Sequence, residues 1–306
     1  MRSLKLLLPV VLLLAGACSS AQVTSTEDTG RPQAGLARGA TAPVKLVAVG
    51  DIACPPGATP TATTCRQADT ADLARSLHPD RVLALGDLQY DSGTYYQFTH
   101  SYDLSWGSLK AITEPLLGNH EYRTVDARGY YRYLGGQEPG YYAWNAGSWR
   151  IYNLNSNCAE ISCRRELTWL ENDLDDHPRR CSIIASHHPR FSSGFEHGNT
   201  LAMKPFWQVA YRHHVDLALA GHDHDYERFA RKDPAGNLEP NRGIQSFVSG
   251  AGGKSLYRLG TRRPGSVYFN GRQPGVLTLV LDDRKWTWKY RTVDGIVRDS
   301  GSRSCL

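Results

Sequence analysis

Residues Leu217–Arg228 read LALAGHDHDYER. Val215, Leu217 and Leu219 give the run before the glycine the alternation of a strand, and His222 and His224 follow it one residue apart. Successive side chains of a strand point to opposite faces, but a tight loop after a strand can turn both imidazoles to one side, where the pair can serve two metal ions. By itself Gly-His-Asp-His is a weak signal, because His-x-His also occurs on ordinary strands and turns.

Four upstream motifs change that weight. Each is an apolar, strand-like run that ends in a potential metal ligand: VKLVAVGD with Asp51, RVLALGDLQY with Asp87 and Tyr90, PLLGNHE with Asn119 and His120, and CSIIASHHP with His187. In open α/β sheets the loops at the carboxyl ends of strands converge on one crevice, so ligands distant in sequence can meet there. Carboxylate, amide and imidazole donors together suit a pair of divalent or trivalent cations, and Asp87 has two oxygens with which to bridge them. Solvent bridging two cations about 3.5–4 Å apart loses its proton near neutral pH and becomes a nucleophile for in-line displacement at phosphorus. No motif for an aspartyl-phosphate intermediate is visible.

The surrounding chain is consistent with an exported protein. Residues 1–17 combine Arg2 and Lys5 with the apolar run Leu6–Leu14 and the small residues Ala15, Gly16 and Ala17, which reads as a signal peptide too short to span a membrane permanently. Cys18 follows directly, and Leu-Ala-Gly-Ala-Cys resembles a bacterial lipoprotein cleavage site with Ala15 departing from its usual leucine; plain secretion is the competing reading. Residues 18–43 are rich in Ser, Thr, Ala, Gly, Gln and Pro and read as a flexible tether.

Seven cysteines leave an odd one, and lipidation or removal of Cys18 would leave six to pair. Short loops suggest Cys54 with Cys65 and Cys158 with Cys163, leaving Cys181 with Cys305, one among the many pairings six cysteines allow. There is no CxxC pair to bind zinc. The formal charge of +5 includes Arg2 and Lys5 of the leader, and no basic run is interleaved with aromatics. That gives no case for a dedicated nucleic-acid surface and supports only a weak attraction for anions. The sequence is silent on oligomeric state.

Helical and strand-like segments alternate through the first two thirds. Strands are expected at Val44–Val49 and Arg81–Leu85, helices at Gln67–Leu77, Cys163–Asp176 and Leu201–His213, and a hairpin around Gly147 joining Tyr141–Asn145 to Ser148–Asn153. Such alternation predicts an α/β fold with substantially parallel central strands. In the last third, Gly243–Ser249, Gly275–Asp282 and Lys285–Val293 read as a closing antiparallel set, with Trp286, Trp288 and Tyr290 on one face as core packing.

The ordered series GDIA, GDLQY, GNHE, ASHH and GHDH resembles the five-block signature of the calcineurin-like metallophosphoesterases. Tyr90, three residues after Asp87, and the extended GHDHDYER are similar to the purple acid phosphatase branch in its small, single-domain form. The resemblance implies a two-sheet mixed β sandwich flanked by helices, with an antiparallel C-terminal part, as one catalytic domain over residues 44–306. It further implies hydrolysis of phosphate monoesters by a dinuclear metal-bound hydroxide. Fe(III) would be held by Asp51, Asp87, Tyr90 and His224, and Fe, Zn or Mn by Asp87, Asn119, His187 and His222. His120 would contact the phosphoryl group or the leaving oxygen, and His197, ten residues after His187, would assist the leaving group.

A phosphodiesterase acting on nucleotide, lipid or wall-polymer esters could use the same metals, and a non-catalytic phosphate-binding surface lipoprotein could keep the fold. The implied partner is a small phosphate ester, with a membrane met only through lipid on Cys18, and the implied location is outside the cell or anchored to its outer membrane face. Ala53 stands where the family usually has glycine, and His188, before Pro189, occupies a variable family position. Glu121 reads either as support for a ligand or as a solvent-facing or capping residue, Arg228 either as a phosphate contact or as a structural ion pair with Glu227 or another carboxylate, and GAGGKS at Gly250–Ser255 as a turn after a strand. His78, His100, His177, His213 and His214 fall outside the motifs and read as surface or satisfied core histidines.

Overall fold

A computed structural model describes residues 42–136 and 138–306. The signal-peptide reading, nearly all of the tether and Cys18 lie outside the described residues. Among the described residues thirteen strands make two sheets. In chain order they are β1 Val44–Val49, β2 Arg81–Leu85, β3 Thr113–Leu116, β4 Tyr142–Ala146, β5 Trp149–Asn153, β6 Ser182–Ser186, β7 Leu217–Ala220, β8 Tyr226–Phe229, β9 Gln245–Ser249, β10 Ser266–Asn270, β11 Gly275–Leu281, β12 Lys285–Thr292 and β13 Val297–Ser304. One sheet runs β13-β12-β11-β1-β2-β3 and the other β10-β8-β9-β7-β6-β5-β4. The strands β1, β2 and β3 are parallel, as are β5, β6, β7 and β9, so both sheets send carboxyl ends of parallel strands to an edge.

Strand alternation sorts the core into layers. Leu46 and Ala48 of β1 pack with Ile183, Leu219, Leu279, Trp286, Trp288 and Tyr290 between the sheets. Val47 and Val49 point the other way, against Ala71 and Ala74 of the helix Gln67–Ser76. Ile184 and Ala218 likewise meet Leu170 and Leu174 of the helix Cys163–Asp176 and Phe206 and Ala210 of the helix Lys204–Arg212. This is the helix-flanked two-sheet sandwich. It also fixes register, because a one-residue slip of β1 would exchange its two apolar faces.

Three local expectations change. Leu201–His213 is not one helix: a short turn over Leu201–Met203 precedes the α-helix Lys204–Arg212, which has Pro205 in its first turn, where the missing N–H costs least. The Gly243–Ser249 segment does form β9, but it does not join the C-terminal antiparallel set. It pairs parallel to β7 and antiparallel to β8 in the other sheet, while β11, β12 and β13 close the first sheet onto β1. Finally, β8 emerges directly from the histidine motif that reads in sequence as a loop. Cys54–Cys65, Cys158–Cys163 and Cys181–Cys305 are disulfides. Among the described residues no helix is long and apolar enough to cross a membrane.

Candidate metal centre

Each motif loop leaves the carboxyl end of a parallel strand: Asp51 after β1, Asp87 after β2, Asn119 and His120 after β3, His187 after β6, and His222 and His224 after β7. Asp51, Asp87 and His222 have φ of 59°, 48° and 72°, the left-handed region that costs non-glycine residues roughly 1–2 kcal/mol. Each is tied in place by its own amide. The Asp51 N–H donates to the Gly86 carbonyl (3.1 Å), that of Asp87 to the Glu121 carboxylate (2.9 Å), and that of His222 to Asp51 Oδ2 (2.8 Å). Close approach explains two glycines: a Cβ on Gly118 would strike the Asp87 carboxylate, and one on Gly86 would strike the His187 ring.

The seven expected ligand residues meet in two overlapping sets. Tyr90 Oη lies 2.9 Å from Asp51 Oδ1, 3.0 Å from Asp87 Oδ2 and 2.9 Å from His224 Nε2. On the other side His187 Nε2 lies 3.4 Å from the same Asp87 Oδ2, 3.2 Å from Asn119 Oδ1 and 3.2 Å from His222 Nδ1. Asp87 Oδ2 therefore belongs to both sets, while Asp87 Oδ1 accepts the His120 N–H at 2.8 Å. Ring tautomers are set from behind: His187 Nδ1–H donates to the Leu85 carbonyl (2.9 Å), and His224 Nδ1 faces Ser255 Oγ (2.7 Å). Outer partners of this kind orient imidazoles toward a cation.

The donor chemistry fits metal ions. One phenolic proton cannot serve two carboxylates and an imidazole at once, so lone pairs outnumber protons at the point where these groups converge. Burial, with Asp51 and Asp87 beside it, pushes the Tyr90 phenol well above its ordinary value. A cation reverses that logic and favours the phenolate. Burial alone would push the His187 imidazole down, but the neighbouring Asp87 and Asp51 drive it up to about 10. A positive charge is wanted where His187 meets Asp87, and burial raises what the carboxylate loses if none is supplied.

His120 stands over the Tyr90 ring with centroids 4.2 Å apart. Its Nδ1–H donates to the Asp91 carbonyl (2.6 Å), which leaves Nε2 facing the cleft 3.8 Å from Asp87 Oδ2. Burial pushes His120 below its ordinary value, opposed by Asp87. His197 is exposed and stacked on His222, with centroids 3.9 Å apart and planes at 24°. Its loop is pinned by the buried Asp223, which accepts from Ser192 Oγ, the His197 N–H and the Gly198 N–H.

Other residues resolve or enlarge the sequence reading. Glu121 is fully buried and accepts the N–H groups of Asp87, Leu88, Gln89 and Gly118 at 2.8–3.3 Å, so it shapes two ligand loops and is not a solvent-facing cap. Arg228 makes a bidentate pair with Asp299 (2.7 and 2.9 Å), the structural one of its two readings. The GAGGKS turn follows β9 and does more than turn. It brings Ser255 to His224 and Lys254 Nζ to 3.2 Å from Asp91 Oδ1, and Tyr257 stacks on His224 with centroids 4.0 Å apart. Of the two readings of Glu121 the supporting one holds, whereas Tyr257 was not identifiable as a site residue, because its role depends on a contact with a residue distant in the chain.

A phosphoesterase-type sandwich with a donor-lined cleft at its strand ends is the class this fold and site define. Residues 44–226, more than half of the chain, match the calcineurin-like phosphoesterase family, and the chain belongs to that family of metal-dependent phosphoesterases. A curated relative, the "Probable purple acid phosphatase 20" of Arabidopsis thaliana, is 25% identical over 181 residues, which cover 50% of this chain and 40% of that protein. The chain is thus similar to the purple acid phosphatase branch, while the match spans less than half of that relative. Among solved structures, the purple acid phosphatase PPD1 of yellow lupin (Lupinus luteus) shares the fold with a TM-score of 0.68 at 18% identity, over 86% of this chain and 54% of that one. GAP50, the anchor in the inner membrane complex of Plasmodium, gives 0.66 at 14% identity over 86% of this chain and 89% of its own. PhoD gives 0.59 at 12% identity over 86% and 68%.

Proposed function

We propose that this protein is an exported acid phosphatase that hydrolyses small phosphate monoesters at a dinuclear centre in one catalytic domain over residues 44–306. The observation that carries the reading is the position of Asp87 Oδ2, 3.0 Å from Tyr90 Oη and 3.4 Å from His187 Nε2, as a bridging carboxylate requires. Asp51, Asp87, Tyr90 and His224 would hold the first ion, and Asp87, Asn119, His187 and His222 the second. A phenolate with two carboxylates suits Fe(III), whereas the amide and imidazole set suits Fe, Zn or Mn. When bound, the two ions supply charge neutralisation for the phosphoryl oxygens and an activated water for in-line attack.

The chain's own residues do the rest. His120, anchored through Nδ1–H to the Asp91 carbonyl, presents Nε2 to the phosphoryl group or the leaving oxygen. A proton held on that nitrogen would pass to the departing alkoxide. His197, stacked on His222 at the open side, would assist the same proton transfer. Lys254 over the Tyr90 ring (4.9 Å) adds positive charge at the rim, where an anionic substrate enters.

Three disulfides suit an oxidising compartment, in keeping with secretion or with lipid attachment at Cys18. The Asn119→Ala variant tests the reading. It should lose the second metal and hydrolysis of an aryl phosphate together while keeping the first metal. Unchanged metal content and rate would contradict it.

A further inference from the structure

We propose that His188 is a further ligand of the second metal, giving that ion three imidazoles beside the Asn119 amide and the bridging Asp87. This rests on the dinuclear reading above. The sequence placed His188 at a position the family leaves variable, yet the structure builds a holder for it. Ser156 Oγ accepts the His188 main-chain N–H at 3.0 Å and lies 2.8 Å from His188 Nδ1. Ser186 Oγ donates to the His188 carbonyl at 3.0 Å. A serine hydroxyl oxygen can accept twice, so it can take both the amide and the Nδ1–H of His188, the tautomer that leaves the Nε2 lone pair free.

The ring is positioned to use that lone pair. Its centroid lies 4.3 Å from that of His222 and 5.0 Å from that of His187. Donor atoms of His187, His188 and His222 all lie within 4.8 Å of one another. Two nitrogens bound to one ion at about 2.1 Å are roughly 3.4 Å apart at a tetrahedral angle, so a shift on the order of 1 Å, within the reach of a ring rotation, closes the set. His197 also stacks on the His222 ring, with centroids 3.9 Å apart.

Three imidazoles change what the second site selects. Imidazole suits Zn, Fe and Cu, whereas carboxylate, carbonyl and water donors suit Mn and Mg. A third nitrogen moves the second site toward zinc or ferrous iron and away from manganese.

The test uses the full protein with Fe(III) in the first site and zinc in the second, so that absorption at the zinc edge reports the second site alone. Zinc-edge X-ray absorption should count three imidazoles in the parent protein and two in both His188→Gln and His188→Asn. Zinc retention against a buffered zinc series should weaken on the order of 100-fold in these variants. The iron absorption band should stay unchanged in both, which shows that they are folded. Two imidazoles in the parent, or unaltered zinc retention in the variants, would overturn the proposal. Asn119→Ala separates the two levels of argument. If it loses zinc while the His188 variants keep it, only the extra ligand is wrong; if it also keeps zinc, the dinuclear reading fails.

Discussion

Asp87 divides the cleft into unlike halves. On one side Asp51, Tyr90 and His224 present a carboxylate, a phenol and an imidazole, buried and within 2.9–3.4 Å of one another. On the other side Asn119, His187 and His222, with His188 beside them, present neutral donors at 3.2 Å spacing, and all but His187 are partly open to solvent. The first half is backed by the turn after β9, through Ser255 and Tyr257; the second is backed by β2 and the Ser156 loop, through the Leu85 carbonyl and Ser156 Oγ. Anionic donors can neutralise a highly charged ion held permanently, whereas neutral donors hold a divalent ion that exchanges more readily. On the proposed reading, one bridging carboxylate would let a single loop set hold two ions of different hardness.

Removing the bridge should have the largest effect. Asp87→Ala is expected to empty both halves and lower the rate on an aryl phosphate by about 10³-fold or more, comparable with losing a principal charge-stabilising group. Elemental analysis that finds either metal at full occupancy in that variant breaks the idea of a shared ligand.

A smaller change should separate the halves. Tyr90→Phe keeps the ring under His120 and deletes only the oxygen, so the phenolate-to-iron absorption band should vanish, the second metal should remain, and the rate should fall on the order of 10–100-fold. Persistence of the band would remove Tyr90 from the first half.

The smallest expected effect lies outside both halves. Glu166, in the helix Cys163–Asp176, is fully buried; one oxygen accepts the Asn155 N–H at 2.7 Å and the other has no partner among the described residues. Burial pushes its carboxyl up to about 8, opposed by that N–H. Because the folded value lies above the unfolded one, near 4.5, the protonated acid contributes stability fully below about pH 4.5, and that contribution is lost as pH rises toward 8. Glu166→Gln should flatten the fall in thermal stability over that window, by at most a few kcal/mol, and leave metal content unchanged. A pH–stability curve identical to the parent's would contradict this.

The candidate ligands Asp51, Asp87, Asn119, His187 and His222 were legible because each lies one to three residues beyond a strand-like segment of four to six residues, a pattern that survives without knowing which strands pair. Much of the rest was not. β13, VRDSGSRS, carries almost no apolar signal because it is a sheet edge, and only its pairing with β12 reveals it. β8 was hidden inside the histidine motif. Gln245–Ser249 was grouped with its sequence neighbours, although a strand buried at every residue is the mark of a central parallel strand. Glu121 acts entirely on backbone amides, which no side-chain pattern announces. The three strained ligands, Asp51, Asp87 and His222, likewise follow from loop closure and not from residue preference.

The most direct test of the central claim is the rate of the purified protein on an aryl phosphomonoester and the matching aryl phosphodiester across pH, with iron and zinc or manganese supplied and both bound metals counted. The account predicts two metals per chain and fast monoester hydrolysis under acid conditions with little diester cleavage. Preference for the diester would contradict the phosphatase assignment, and no turnover of either ester with both metals verified would contradict catalysis altogether.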